Sequence, residues 1–488
     1  MAERGVQGVK YEKVGDEYFA QRKLRRYAGV FSLWALGVGA VISGQFSGWN
    51  YGLEVGWGSL FAATVIITIM YVGLTYSIAE MSPALPHTGG AYSFARSAMG
   101  PWGGFVTGVA ENIEYVLTPA VVVYFIGAYV SGILQLAGVM EDATALQPLF
   151  WLLGYLIFVG FNLFGVELSF RVTVVVTLLA LACLAFFYIA ALPLVDFNRW
   201  AMNVGVENGE TIELANGAGV WFPRGIDGVL AALPFAVWLY LAIEQLPLAA
   251  EESADPRRDM PKGILLGMLT LAVSAFAVLF INSSISPGAF GLRASGEPLL
   301  EGFRTLFGKD LVFLAILFSL IAITGLVASF HAIIFAYGRQ IYSLSRAGYF
   351  PRVLSVTHGS HRTPQIALVL GAVVGLAVMA LIWFSNDQAT RNAIIGTSLL
   401  NMAVFGAMIS YVLQAASFIV LRLRMPHIER PYRSPFGIAG AGVTLVIAVV
   451  TMFFQVYRED FRGPVLWVAG YYALMIVYFA LVGRTKLV

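Results

Sequence analysis

Residues 36–50 read Leu36-Gly37-Val38-Gly39-Ala40-Val41-Ile42-Ser43-Gly44-Gln45-Phe46-Ser47-Gly48-Trp49-Asn50. The apolar run around them extends over roughly 28–53, enough to cross a bilayer as a helix. Its middle is wrong for a plain anchor, because it carries four glycines and a polar cluster. Glycine loses backbone entropy in a helix, and Ser and Gln compete for backbone hydrogen bonds. The stretch Ser43 to Ser47 is therefore expected to unwind at mid-membrane depth. A second reading stays open, since Gly44 and Gly48 have the spacing of close helix packing.

A second run breaks the same pattern. Residues 233–247 read Leu233-Pro234-Phe235-Ala236-Val237-Trp238-Leu239-Tyr240-Leu241-Ala242-Ile243-Glu244-Gln245-Leu246-Pro247. Glu244 stands in mid-span, where a carboxylate costs roughly 2.5–3.5 kcal/mol and usually faces a cavity or a partner. Pro247 removes a backbone donor just beyond it. The alternative for Glu244 is a carboxylate paired for packing or lying near a helix end.

These two runs sit among ten others. Of 488 residues, 59% are hydrophobic and 12% charged, and the mean hydropathy is +0.78. Soluble chains carry about 25% charged residues, so this is an all-α polytopic membrane protein. Twelve spans are expected, at 28–53, 58–80, 102–133, 148–166, 170–194, 227–249, 263–285, 311–337, 364–384, 393–421, 435–456 and 464–483. They are too long for barrel strands. Twenty-two of the 30 Lys and Arg fall in the connections on the N-terminal side, which puts both termini in the cytoplasm of a cell-membrane protein. The opening, 1–26, is polar and charged rather than an apolar signal peptide.

Interrupted first and sixth spans, five apart, point to inverted repeats with a midplane site. The expected division is a first repeat over 27–194, an outer loop over 195–226, a second repeat over 227–421, and two added helices over 422–488. Asn208-Gly209 and Asn216-Gly217 mark turns in that loop. A net charge of +2 forms no basic face for nucleic acid. The single cysteine, Cys183, excludes an internal disulfide and a Cys-rich metal site. No phosphate loop, zinc motif or nucleophile elbow occurs, so neither an enzyme nor a cofactor or metal is expected.

Four further motifs carry a resemblance. They are Ala79-Glu80-Met81-Ser82-Pro83-Ala84-Leu85-Pro86-His87-Thr88-Gly89-Gly90-Ala91-Tyr92, Ala250-Glu251-Glu252 with Asp255-Pro256-Arg257 and Met260 to Ile264, Ser343 to Pro351, and Arg430 to Pro435. In this order they resemble the amino acid–polyamine–organocation transporters over roughly 28–435. The resemblance implies the LeuT-like five-plus-five inverted repeat, broken helices 1 and 6, and alternating access.

The wording of span 1 is similar to the ethanolamine permeases of that superfamily. Amino-acid carriers typically place a glycine where this chain has Gln45, and their backbone N–H groups there hold a carboxylate. The departure fits a substrate without one. The resemblance therefore implies a secondary active or facilitative carrier of ethanolamine, with an amino-acid or polyamine permease or exchanger as the alternative. Its partners would be the small amine and membrane lipid, with the oligomeric state open and a monomer sufficient.

The substrate-binding candidates are Val41, Ser43, Gly44, Gln45, Phe46, Glu111, Glu114, Tyr115, Trp238, Tyr240, Leu241, Ala242 and Glu244. An ammonium needs acceptors, negative charge or aromatic faces. Free carbonyls at Val41, Trp238 and Leu241 are implied to meet it, with Glu244 as its carboxylate and Ser43 or Gln45 reaching the hydroxyl. Trp238 matches an aromatic lid. Glu111 and Glu114, three apart, share one face of span 3. Trp238, Glu114, Glu244 and His331 are the gating or coupling candidates. The lysine that some relatives carry in helix 5 is Ala180 here, which leaves uniport, exchange and glutamate-based proton linkage open.

Overall fold

The computed structural model describes residues 6–488 apart from 23, 25, 309 and 387. Among the described residues, eleven helices are long and apolar enough to cross a membrane, and a twelfth crossing is the bent pair Val30–Phe46 and Trp49–Val55. Pairing of the chain ends decides the count. Lys10 and Glu12 donate backbone hydrogen bonds to Arg484 and Leu487, so both ends lie on one face, as an even number of crossings requires. Below, that face is called the termini face and the other the far face.

Span 1 comprises Val30–Val41, Ser43–Phe46 and Trp49–Val55. Spans 2 to 5 are Trp57–Ala84, Gly90–Leu136, Gln147–Leu163 and Val166–Ala191. Span 6 is Gly225–Trp238 followed, after a turn, by the 3-10 helix Ile243–Glu252. Spans 7 to 12 are Pro256–Ile281, Val312–Arg346, Gln365–Ser385, Gln388–Arg424, Gly437–Tyr457 and Glu459–Leu481. All twelve expected runs are helices. Span 3 differs most: expected from 102, it begins at Gly90. Gly100, at φ 82, absorbs the kink in front of Pro101, so a stretch that reads as loop continues the helix.

Neighbour relations among the spans follow a rule. Span 1 packs on spans 5 and 7, and span 6 on spans 10 and 2. Span 3 packs on spans 4, 9 and 10, and span 8 on spans 9, 4 and 5. Exchanging each span of the first five with the one five places later maps these contacts onto themselves. Spans 11 and 12 lie outside the rule and pack on spans 2 and 10. Burial is inverted relative to a soluble protein. Large apolar side chains such as Leu156, Ile189, Phe384 and Leu474 are exposed, while Glu80, Glu111, Glu114, Glu244 and Glu252 are buried.

On the far face, Val204–Glu207 and Glu210–Glu213 form a hairpin. Its two-residue turn is Asn208-Gly209, both at positive φ, the pair that matches strand twist. The loop between spans 7 and 8 contains a helix the sequence does not announce, Pro298–Phe307.

Candidate functional site

Span 1 loses its helical ladder in two steps. Ser329 of span 8 inserts its hydroxyl at the first, accepting from the Ser43 amide at 2.9 Å and donating to the Gly39 carbonyl at 2.8 Å. One hydroxyl thus stands in for the missing bond between residues four apart. The second step is the bend itself, with Ser47 extended and Gly48 at φ 92. The expected unwinding over Ser43 to Ser47 is therefore corrected. Residues Ser43–Phe46 keep a helical turn, because Ser47 still bonds back to the Ser43 carbonyl, and the chain runs helically past Gly44 before it bends.

Span 6 breaks after Trp238, in the stretch whose carbonyls the resemblance implies to be free. This lies ahead of Pro247, where the sequence alone marks the loosening, and has Ala242 in the left-handed region at φ 81. A non-glycine residue there stores strain that the surroundings must hold. The two breaks are fastened to each other. The Gln45 side-chain amide donates to the Leu239 carbonyl at 3.1 Å, and Trp238 Nε1 donates to the Ser47 carbonyl at 2.9 Å. A Cβ at Gly44 would lie 2.5 Å from the Trp238 carbonyl oxygen, and one at Gly48 would lie 2.5 Å from Trp238 Nε1. Those glycines therefore serve close packing, the second reading of the stretch. The carbonyl engaged at the span 6 break is that of Leu239, next to the expected Trp238.

Glu244 opens the lower half of span 6 and faces spans 3 and 10. Tyr411 donates to its Oε2 at 2.9 Å and Tyr115 to its Oε1 at 3.4 Å. Tyr411 also reaches Glu114 Oε1 at 3.4 Å, so one phenol serves both Glu244 and Glu114. Glu111 completes the group, taking bonds from Gln340 at 2.8 Å and the Tyr92 amide at 3.2 Å, with the Tyr115 hydroxyl 3.5 Å away. Behind them Tyr71 bonds Tyr411 at 3.0 Å, and Tyr240 bonds Thr68 at 2.7 Å. Among the described residues no ion pair reaches any of the three carboxyl groups. Uncompensated charge of that kind is expensive in lipid.

Every substrate-binding candidate is buried, and the structure gathers them into two adjoining groups. Val41, Ser43, Gly44, Gln45, Phe46, Trp238, Leu241 and Ala242 make the breaks. Glu111, Glu114, Tyr115 and Glu244 make the acidic cluster, with Tyr240 behind, its ring tilted against that of Tyr71 at 5.2 Å between centroids. His331 joins neither group. Asn162 and Ser169 hold both its ring nitrogens, at 3.0 and 3.1 Å. Tyr71, Tyr411, Gln340 and Ser329 were absent from the expected set, because a lone tyrosine, glutamine or serine in an apolar run carries no local mark.

The site is sealed on both faces. On the termini face Arg339 and Glu252 form a fully buried pair at 2.8 Å, and the Glu252 carbonyl takes the amides of Tyr27 and Ala28. Arg346 clamps Glu251 and lies 3.1 Å from His87, whose own burial and the nearby guanidinium push its pKa down to about 4. Glu80 takes Arg422 and Arg430 together with the Ser434 amide. The sequence motifs at 79–92, 250–252, 343–351 and 430–435 thus meet as one clamp. On the far face Asn50 donates to the carbonyls of Leu292 and Ser295, Ser47 to that of Gly296, and Arg293 pairs with Glu54 at 3.0 Å. Glu297 lies beside Gly132 in this closure, and burial pushes its pKa up to about 7 against the pull of Arg304.

The model of the family described as amino acid permease matches residues 29–481. An uncharacterized transporter of Rhizobium meliloti (strain 1021) is 26% identical over 440 residues, covering 89% of this chain and 87% of its own. A branched-chain amino acid permease of Bacillus subtilis (strain 168) is 23% identical over 477 residues, covering 94% and 93%. A methylthioribose transporter of the same organism is 24% identical over 449 residues, covering 87% and 88%.

Proposed function

Because the chain belongs to the amino acid permease family, and so is a multi-pass membrane transporter rather than an enzyme, we propose that its cargo is a small organic ammonium. In the broad reading this is an amino acid or polyamine, and in the narrow one ethanolamine. The observation that carries the proposal is the group of three buried carboxyl groups that no ion pair reaches among the described residues, which a cation from outside the chain would complement. The likeness to a branched-chain amino acid permease supports the broad reading. The break favours the narrow one. The Ser43 amide is taken by Ser329 and the Gln45 side-chain amide by Leu239, while Gln45 Oε1 is buried without a donor. That leaves an acceptor, suited to an ammonium or hydroxyl, where a carboxylate would need donors.

Transport proceeds by alternating access, with two five-span repeats over 27–194 and 227–421 working around the midplane breaks. The exchange symmetry of the neighbour relations supports this, as do the two sealed faces. The bias of Lys and Arg supports a cytoplasmic termini face in the cell membrane. The test is uptake of labelled ethanolamine into proteoliposomes with unlabelled competitors. Block by ethanolamine and not by α-amino acids is expected. Block by several α-amino acids without any by ethanolamine discards the narrow reading and keeps the broad one.

A further inference from the structure

We infer that the carrier exchanges its ammonium substrate for a proton that Glu114 and Glu244 share. The inference rests on the reading of the acidic cluster as the ammonium site, and adds to it the ion that leaves. Three observations carry it.

The carboxyl groups of Glu114 and Glu244 converge on one phenol, that of Tyr411, whose hydroxyl lies 3.4 Å from Glu114 Oε1 and 2.9 Å from Glu244 Oε2. Two carboxyl groups crowded onto one donor, with no ion pair to either among the described residues, are held together by a proton. Donors are also short. Tyr411 and Tyr115 each have one hydroxyl proton and two carboxyl groups in reach, and Glu114 Oε2 is buried with no N–H or O–H against it. Lastly, the charge-bearing neighbours on every packed element are of the wrong kind to neutralise the pair. They are Glu111 and Tyr115 on span 3, Tyr71 on span 2 and Tyr411 on span 10. All are acids. Glu111 differs from the pair in having two firm donors of its own, Gln340 and the Tyr92 amide.

The balance is simple. In the empty carrier the pair holds one proton and one negative charge. An arriving ammonium ion brings one positive charge. The shared proton then leaves to water on whichever face is open, and both carboxylates remain to hold the cation. When the substrate departs on the opposite face, a proton from that side takes its place. The buried charge is the same before and after, so the loaded and empty carriers meet the same penalty for enclosing it.

The test is calorimetric titration of the purified protein with ethanolamine, at one pH, in buffers of different ionisation enthalpy. The slope counts protons released on binding. One proton per ethanolamine is expected for the wild type. In Glu114→Gln, whose amide mimics the protonated acid, ethanolamine should bind with release abolished. Binding with the same enthalpy in every buffer overturns the exchange while leaving the ammonium site intact. Absence of ethanolamine binding defeats the narrow reading instead. Infrared difference spectra of the unliganded protein then judge the shared proton alone. A carboxylic-acid carbonyl band present in the wild type and missing from Glu114→Gln is expected, and its absence from the wild type overturns the inference.

Discussion

Gln45 joins the two breaks through its amide nitrogen and leaves its oxygen without a donor. Gln45→Gly removes one hydrogen bond, worth about 1 kcal/mol net, and empties the space beside the Ser43–Gly44 backbone. Binding of carboxylate-bearing amines should rise relative to ethanolamine, which equilibrium binding to the folded variant would measure. Glu244 meets two phenols, those of Tyr411 and Tyr115. If the ammonium is bound desolvated against it, Glu244→Gln should weaken ethanolamine binding by on the order of 2–5 kcal/mol. Wild-type affinity in that variant would remove Glu244 from the site.

At the scale of the element, the break in span 1 depends on another span. Ser329 supplies the hydroxyl that parts Gly39 from Ser43. Ser329→Ala should leave a buried amide and carbonyl unpaired, lowering stability by about 1–3 kcal/mol in denaturation of the solubilised protein. Unchanged stability would mean that the two groups close on each other and span 1 straightens. Much of the element scale was legible. All twelve runs, the Asn208-Gly209 turn and the pairing of Glu111 with Glu114 on one face follow from local composition and period, whereas the break in span 6 falls after Trp238 rather than at Pro247. The Ser329 wedge and the Tyr71–Tyr411 pair did not, since each joins residues roughly three hundred positions apart through ordinary side chains. The start of span 3 was misplaced because Gly100-Pro101 looks like a stop and is a kink.

Across the whole molecule, the two closures answer to pH in opposite senses. His87, on the termini face, has its folded pKa at about 4 against an unperturbed 6.5, so the folded state resists its protonation. Its contribution is complete above 6.5 and is lost as pH falls toward 4. Glu297, on the far face, has its folded pKa at about 7 against 4.5, so its contribution is complete below 4.5 and lost as pH rises toward 7. Thermal unfolding across these windows should show the acid-side loss diminished in His87→Gln and the loss between 4.5 and 7 diminished in Glu297→Gln. Profiles parallel to the wild type would rule both residues out.

The paired carboxyl groups have one more consequence, which is electrical. Moving one elementary charge through the membrane field is worth about 2.3 kcal/mol per 100 mV. A cycle that carries one monovalent cation inward and one proton outward moves no net charge. Turnover should therefore be indifferent to a potassium diffusion potential imposed with valinomycin, and should respond to a proton gradient instead. A carrier that speeds up steeply when the vesicle interior is made negative would be importing its cargo uncompensated.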